Sequence, residues 1–279
     1  MTQNPKHPTA EVAVRINKAG QSPRFDELEQ LARVSQHIDA IVLPKFSRKG
    51  YNELVHFIDK HFHKGTEESR KVYKIWALVE TPNCLVNLQG QLYSLAKDQF
   101  SHSRLRGMIF GAEDYAQSSA ITRTPSLTEL LYPRQQLVAI CKAWHLECLD
   151  LVSTNFRDMD TLRAECQQGS QFGFTGKQAI HPTQIPIIHE AFSPSKESVD
   201  HAERLLEKYI AEESGDRRGA WEFEGKMIDR PVVLNAIRVL RLAFNYNVVP
   251  DKAKSEEIIT KAEKQSKEQS RRNQDVTEG

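Results

Sequence analysis

Short apolar runs rich in β-forming residues alternate with amphipathic helical stretches along most of this chain. That alternation limits the possible folds more than any other feature. The runs are Glu11–Ile16 (EVAVRI), Asp39–Leu43 (DAIVL), Ile75–Val79 (IWALV), Gly107–Phe110 (GMIF), Glu147–Val152 (ECLDLV) and the Gly-rich Phe172–Lys177. Between them, apolar residues at helical spacing cover Phe25–Ala32, Tyr51–Phe62, Leu85–Leu95, Leu127–Trp144 and Met159–Cys166. Strands joined by helical crossovers lie parallel, and a parallel sheet needs helices over its faces. An open doubly wound sheet and a (β/α)8 barrel both satisfy this. No G-x-G-x-x-G or G-x-x-x-x-G-K-[ST] follows an early strand, which weakens the nucleotide-binding open sheet. Polar residues stand at the end of strand after strand: Arg15, Lys45, Glu80, Asp114 and Ser153. A site gathered from several strand ends marks the barrel. The sequence therefore predicts an α/β fold of TIM-barrel type over residues 1–190. A helical extension follows over 191–250, with helices at Ser195–Tyr209 and Pro231–Phe244, and then a charged tail over 251–279. The tail reads as a solvated helix or a disordered segment.

Composition removes several function classes. The chain has 38 Lys and Arg against 37 Asp and Glu, so no global field recruits nucleic acid. The four cysteines show no C-x-x-C spacing, and neither a zinc site nor a disulfide framework is expected. No apolar run approaches the roughly 20 residues of a membrane span. The opening residues carry neither a signal-peptide nor a transit-peptide pattern, so no targeting segment is expected.

Glu80 and Asp114 are the most informative pair, because each follows an apolar strand where a barrel presents side chains to its mouth. Two carboxylates completed by water and substrate oxygens suit Mg²⁺. The bland alternative is that each caps the helix after it. Arg15 can grip a carboxylate with its planar fork, or pair with a neighbouring strand's acid. Lys45 follows Pro44 and reads as a charge partner of Glu80 or Asp114 rather than a Schiff-base nucleophile. The stretch Gly173, Phe174, Thr175, Gly176, Lys177, Gln178, Ala179, Ile180, His181, Pro182 could present backbone N–H groups to phosphates or an adenine. His181 by itself is more often a packed or capping residue. Asp229, just ahead of a helix opened by Pro231, reads as a helix cap.

Six motifs in order resemble one family: VRIN (Val14–Asn17), VLPK (Val42–Lys45), VETP (Val79–Pro82), FGAEDYA (Phe110–Ala116), GFTGKQAIHP (Gly173–Pro182) and GKMIDRP (Gly225–Pro231). It is the citrate lyase beta subunit family of the aldolase/citrate lyase superfamily, which includes citrate lyase beta-like, malyl-CoA and citramalyl-CoA lyases. The resemblance implies a barrel with a C-terminal helical extension, assembled as a homotrimer. It implies Mg²⁺ on Glu80 and Asp114, substrate contacts from Arg15 and Glu80, and coenzyme A along Gly173 to Pro182. Asp229 would move a proton in a neighbouring subunit's site. The implied reaction is carbon–carbon cleavage of a short 3-hydroxyacyl-CoA to acetyl-CoA and a 2-oxo acid, or its reverse. The partners implied are an acyl-CoA substrate, no nucleic acid and no membrane, in mitochondria or cytoplasm.

Chains of that family begin with two further strands and an acidic second-strand motif, and this sequence starts after them. Six strands are expected where a closed barrel has eight, leaving two open sheet edges. Truncation of an active enzyme is the first expectation. The alternatives are a non-catalytic partner subunit that modulates intact homologues, and an aldolase acting on free 2-oxo acids.

Overall fold

The apolar runs form strands because their side chains find cover on both faces. The computed structural model describes residues 10–19, 22–62, 72–97, 104–211, 221–246, 248–249 and 251–277. The chain divides into two compact units, Met1–Ile188 and His189–Gly279. The first begins with β1 (Ala13–Arg15), the antiparallel pair β2 (Lys18–Ala19) and β3 (Ser22–Pro23), and α1 (Phe25–Arg33). It continues through β4 (Ala40–Leu43), α2 (Arg48–His61), β5 (Lys74–Val79), α3 (Pro82–Ala96), β6 (Leu105–Phe110) and α4 (Ala112–Ser118). Then come α5 (Leu131–Ala143), β7 (Glu147–Asp150), α6 (Met159–Phe172), β8 (Gly176–Lys177) and α7 (Ile185–Phe192), the last crossing the boundary between the units.

Six strands form one sheet in the order β1-β4-β5-β6-β7-β8, every pair parallel. A doubly wound sheet reverses its order at a switch point, whereas a barrel wall adds each new strand beside the last. The order here never reverses, so the expected barrel-type winding is what the chain forms. Among the described residues β1 and β8 are the two edges. The central strands are buried nearly throughout, with Ala40, Ile41, Leu43, Ile75, Ala77, Val79, Met108 and Phe110 inaccessible. Such continuous burial belongs to a parallel sheet covered on both faces.

Local chemistry starts the helices where the strands deliver the chain. Ser47 Oγ accepts the Gly50 N–H at the head of α2, and Thr81 Oγ1 accepts the Cys84 N–H where Pro82 opens α3. The last predicted strand differs from expectation. The α6 helix runs past Cys166 to Phe172, and only Gly176 and Lys177 join the sheet. Gly173 takes a left-handed φ of 96° and closes the helix, which Phe172 as a strand residue could not have done. The predicted helix over Leu127–Trp144 begins later too: Leu127 takes a left-handed φ of 52°, a single 3-10 turn spans Thr128–Leu130, and the α-helix starts at Leu131.

A buried ion pair joins the helical layer to the sheet. Arg134 of α5 and Asp150 at the end of β7 are both 0% exposed. They meet two-pronged, Nε to Oδ1 at 3.0 Å and Nη2 to Oδ2 at 2.6 Å. Arg134 Nη1 also donates to Gln168 of α6, and its guanidinium lies over the Phe172 and Phe174 rings. Asp150 Oδ1 accepts the Leu151 N–H as well.

The unit His189–Gly279 holds α8 (Lys196–Ala211), the hairpin β9 (Trp221–Phe223) and β10 (Lys226–Ile228), α9 (Arg230–Asn245) and α10 (Lys252–Thr277). The tail, read as a solvated helix or a disordered segment, is a helix with one buried face. Ile258, Ile259 and Ala262 of α10 pack into one core with Leu205, Leu206 and Leu240, and Ser255 and Ser266 are buried on the same helix. Among the described residues no helix is long and apolar enough to cross a membrane.

Removing one member of the Arg134–Asp150 pair strands a buried charge. Arg134→Met is expected to lower stability by about 3–5 kcal/mol, read as a shift in the chemical denaturation midpoint. Adding Asp150→Leu should recover part of that loss, since the remaining charge is then gone as well.

Candidate functional site

The carboxyl ends of β1, β4, β5 and β6 carry Arg15, Lys45, Glu80 and Asp114, and the fold brings these four into one electrostatic neighbourhood. Glu80, one residue past β5, is only 2% exposed. A single backbone contact holds it firmly: the Lys45 N–H donates to Glu80 Oε2 at 2.6 Å. Lys45 reaches that position in the left-handed region, at φ 46°. A non-glycine residue held there is strained by about 1–3 kcal/mol, and the bond to the carboxylate offsets this. Phe46 then rejoins the sheet, its N–H donating to the Leu78 carbonyl at 3.0 Å.

On its other flank Glu80 lies against Gly111, the residue between β6 and α4. A Cβ at Gly111 would stand 2.4 Å from Glu80 Cγ and 3.3 Å from Oε1, so only glycine leaves room for the carboxylate. Asp114 follows in the first turn of α4, half-buried. Burial raises the Glu80 pKa above the ordinary carboxylate value, and the Asp114 charge raises it further. The Lys45 hydrogen bond and the Arg15 and Lys45 charges pull it back. The Cys84 thiol is pushed up to about 12 by burial and by the Glu80 charge, which leaves it inert as a nucleophile. All four cysteines are buried and free.

Lys18 belongs to this neighbourhood and escaped the sequence reading. Its Nζ donates to the Lys45 carbonyl at 2.8 Å and reaches Ser47 Oγ at 3.3 Å. Burial lowers its pKa, while Cys84, Glu53 and Glu80 draw it back up. No periodicity or motif distinguishes it, because its role depends on a fold-dependent turn at Lys45. Gly111 did carry a signal, being a glycine at the end of an apolar strand and directly before the acidic turn.

The segment Gly173–Pro182 is tied to the same rim. Gln178 Nε2 donates to the Phe110 carbonyl at 3.0 Å and to the Asp150 carbonyl at 3.1 Å, bridging the ends of β6 and β7. Within the segment Gly173 closes a helix, Phe174 is buried beside Arg134, and Thr175 Oγ1 bonds to the Cys148 backbone. Gly176 is half-buried in β8. Lys177 points inward and forms an ion pair with Glu165 at 2.9 Å, without the alignment of a hydrogen bond. His181 caps the short turn opened by Pro182, Nδ1 lying 2.8 Å from Thr183 Oγ1, and its ring stacks on Phe156 at 4.9 Å. Asp229 lies in the other unit, where its Oδ1 accepts the Val232 N–H at 3.2 Å and caps α9.

The donor set suits a hard divalent cation. Burial disfavours the ionisation of Glu80 and the Asp114 charge adds to that, and a cation beside them would relieve both effects. Among the described residues no cluster of three or more His, Cys, Asp and Glu forms, so Glu80 and Asp114 would leave open positions for water and substrate oxygens. Arg15, exposed at the end of β1, can meet an anionic group beside that cation. A parallel barrel-type wall with an arginine and two acids at its strand ends is an α/β fold with a candidate site at its rim.

The chain belongs to the HpcH/HpaI aldolase/citrate lyase family, whose model matches residues 1–182. It is 33% identical over 235 residues to the human protein "Citramalyl-CoA lyase, mitochondrial", covering 84% of this chain and 68% of that one. Among solved structures, a citrate lyase from Burkholderia xenovorans matches the fold with a TM-score of 0.69 at 21% identity, over 89% of this chain and 76% of that one. CitE from Mycobacterium tuberculosis, solved in complex with magnesium, acetoacetate and coenzyme A, matches at 26% identity and a TM-score of 0.60, over 83% of this chain and 77% of that one. The chain is an enzyme of the lyase type.

Two consequences can be measured. Gly111→Ala should force Glu80 aside and lower stability by about 1–3 kcal/mol, read by thermal melting. The second concerns pH. The folded Glu80 pKa is raised, so between the ordinary carboxylate value and the raised one the folded chain binds more protons than the unfolded. Stability therefore falls as pH rises through that window. Glu80→Gln, measured in chelator, should remove this slope and melt higher than the wild type at neutral pH.

Proposed function

We propose that this chain is a Mg²⁺-dependent carbon–carbon lyase acting on short 3-hydroxyacyl-CoA thioesters, cleaving citramalyl-CoA or malyl-CoA to acetyl-CoA and a 2-oxo acid, or running the reverse condensation. The observation that carries the reading is the buried Glu80 beside Asp114, with Arg15 on the adjoining rim. The names of the human relative and of the magnesium- and coenzyme A-bound CitE support the substrate class. The same human name supports a mitochondrial setting.

Glu80 and Asp114 would hold Mg²⁺, which supplies Lewis-acid polarisation of the 2-oxo acid carbonyl. Arg15 grips the substrate carboxylate and fixes the 2-oxo acid half. In cleavage the hydroxyl proton passes to water, the bond between the hydroxyl-bearing carbon and the thioester α-carbon breaks, and its electron pair goes to that α-carbon, where one proton taken up from water through Asp229 replaces the one released. Asp229 gives a proton to that carbon, producing the acetyl-CoA methyl group, and in condensation it removes one. In this reading Asp229 serves the site of a neighbouring subunit in a homotrimer. Backbone groups of Gly173–Pro182, with Gly176 half-buried in β8 and His181 at the turn after it, hold coenzyme A.

The test is turnover of citramalyl-CoA and malyl-CoA by the purified chain. Activity should depend on Mg²⁺, disappear in EDTA and in Asp114→Ala, which removes a cation ligand, and fall by about a hundredfold or more in Asp229→Asn, as loss of a proton-transfer group gives. Cleavage of the free acids but not the thioesters would reassign the chain as a plain aldolase. A folded chain with no activity on either would leave a non-catalytic partner subunit.

A further inference from the structure

Lys45 is pinned from both sides of its own backbone. Its N–H donates to Glu80 Oε2 at 2.6 Å, and its carbonyl accepts from Lys18 Nζ at 2.8 Å. The residue between these bonds is a non-glycine in the left-handed region, a conformation that persists only when its surroundings hold it. Both bonds are charge-assisted, one by an ammonium and one by a carboxylate. Ser47, the cap of α2, provides Lys18 with a second acceptor and so fixes the ammonium relative to that helix. The Lys18 stem enters from the β2 strand, so the turn after β1 and the turn after β4 are fastened together at the Lys45 peptide.

We propose that Lys18 is a positioning residue that acts through Lys45: it holds the Lys45 peptide so that its N–H fixes the Glu80 carboxylate in the orientation that receives the cation. The proposal rests on the assignment of Glu80 and Asp114 as cation ligands. It makes no claim that Lys18 touches the substrate.

The sign of one measurement separates this role from a through-space effect. Lys18 is a cation, and deleting a neighbouring positive charge by itself tightens the binding of another cation. Loss of a residue that orients a metal ligand weakens metal binding, by about tenfold or more. Lys18→Met is therefore expected to bind Mg²⁺ about tenfold more weakly by titration calorimetry, whereas Lys18→Arg, which retains a charged donor, should stay within a few-fold of wild type. A second readout needs no metal: exchange of the Lys45 amide proton, followed by NMR on isotope-labelled lysine. It should quicken in Lys18→Met and remain slow in Lys18→Arg. Should Lys18→Met not fold, Lys18→Gln, a shorter neutral donor, is read in its place with the same expected direction. Unchanged amide exchange, or tighter Mg²⁺ binding in the neutral variants, overturns the role. A wild-type chain that takes up no Mg²⁺ refutes the ligand assignment of Glu80 and Asp114, while the exchange data still decide what Lys18 does.

Discussion

Glu80 ends a strand whose last three residues are entirely buried, and a carboxylate delivered to such a place is unfavourable on its own. The surrounding architecture answers that single difficulty. Gly111 leaves the volume, the Lys45 N–H supplies the hydrogen bond, and Arg15 and Lys45 contribute opposite charge. Yet the compensation is incomplete, because the Glu80 pKa remains raised and Asp114 stands near it with the same sign. A residual imbalance of this kind, built from four different strand ends, marks a candidate site.

The Arg134–Asp150 pair shows what a structural solution looks like in the same unit. Both groups are fully buried, both prongs are matched, and Gln168 and the Leu151 N–H take up further hydrogen-bonding capacity. The aromatic faces of Phe172 and Phe174 cover the guanidinium. Two buried acids thus sit at the ends of β5 and β7 in opposite conditions. Asp150 is satisfied within the chain and fixes the helical layer. Glu80 keeps a pKa raised by burial and lies at the strand-end rim.

How far the sequence discloses this depends on whether a feature is local. The strands, their parallel connection and the acids Glu80 and Asp114 are legible because each follows from a run of residues beside it. Gly111 is half legible, since a glycine at a strand end hints at close approach but cannot say to what. Lys18 and Arg134 are not legible, because their partners lie 27 and 16 residues away and are chosen by the fold. The α10 helix fails for another reason. Ser255, Ile258, Ile259, Ala262 and Ser266 form a buried stripe in which two serines and an alanine stand where larger apolar residues would have revealed the pattern. Asp229 illustrates the reverse case: its cap on α9 follows directly from the sequence, and that bond does not conflict with the catalytic role proposed for it.

Charge balance also orders the proposed binding events. Around Glu80 and Lys18 stand three acids, Glu80, Asp114 and Glu53, against three bases, Arg15, Lys45 and Lys18. Before any ligand binds, the neighbourhood is not the strongly negative pocket that would trap a divalent cation tightly by charge alone. A bound cation turns it clearly positive, which is the condition in which a substrate carboxylate is most welcome at Arg15. By reciprocity the carboxylate then strengthens the hold on the cation by the same factor. Each ligand of the proposed site is therefore weak alone and firm in company.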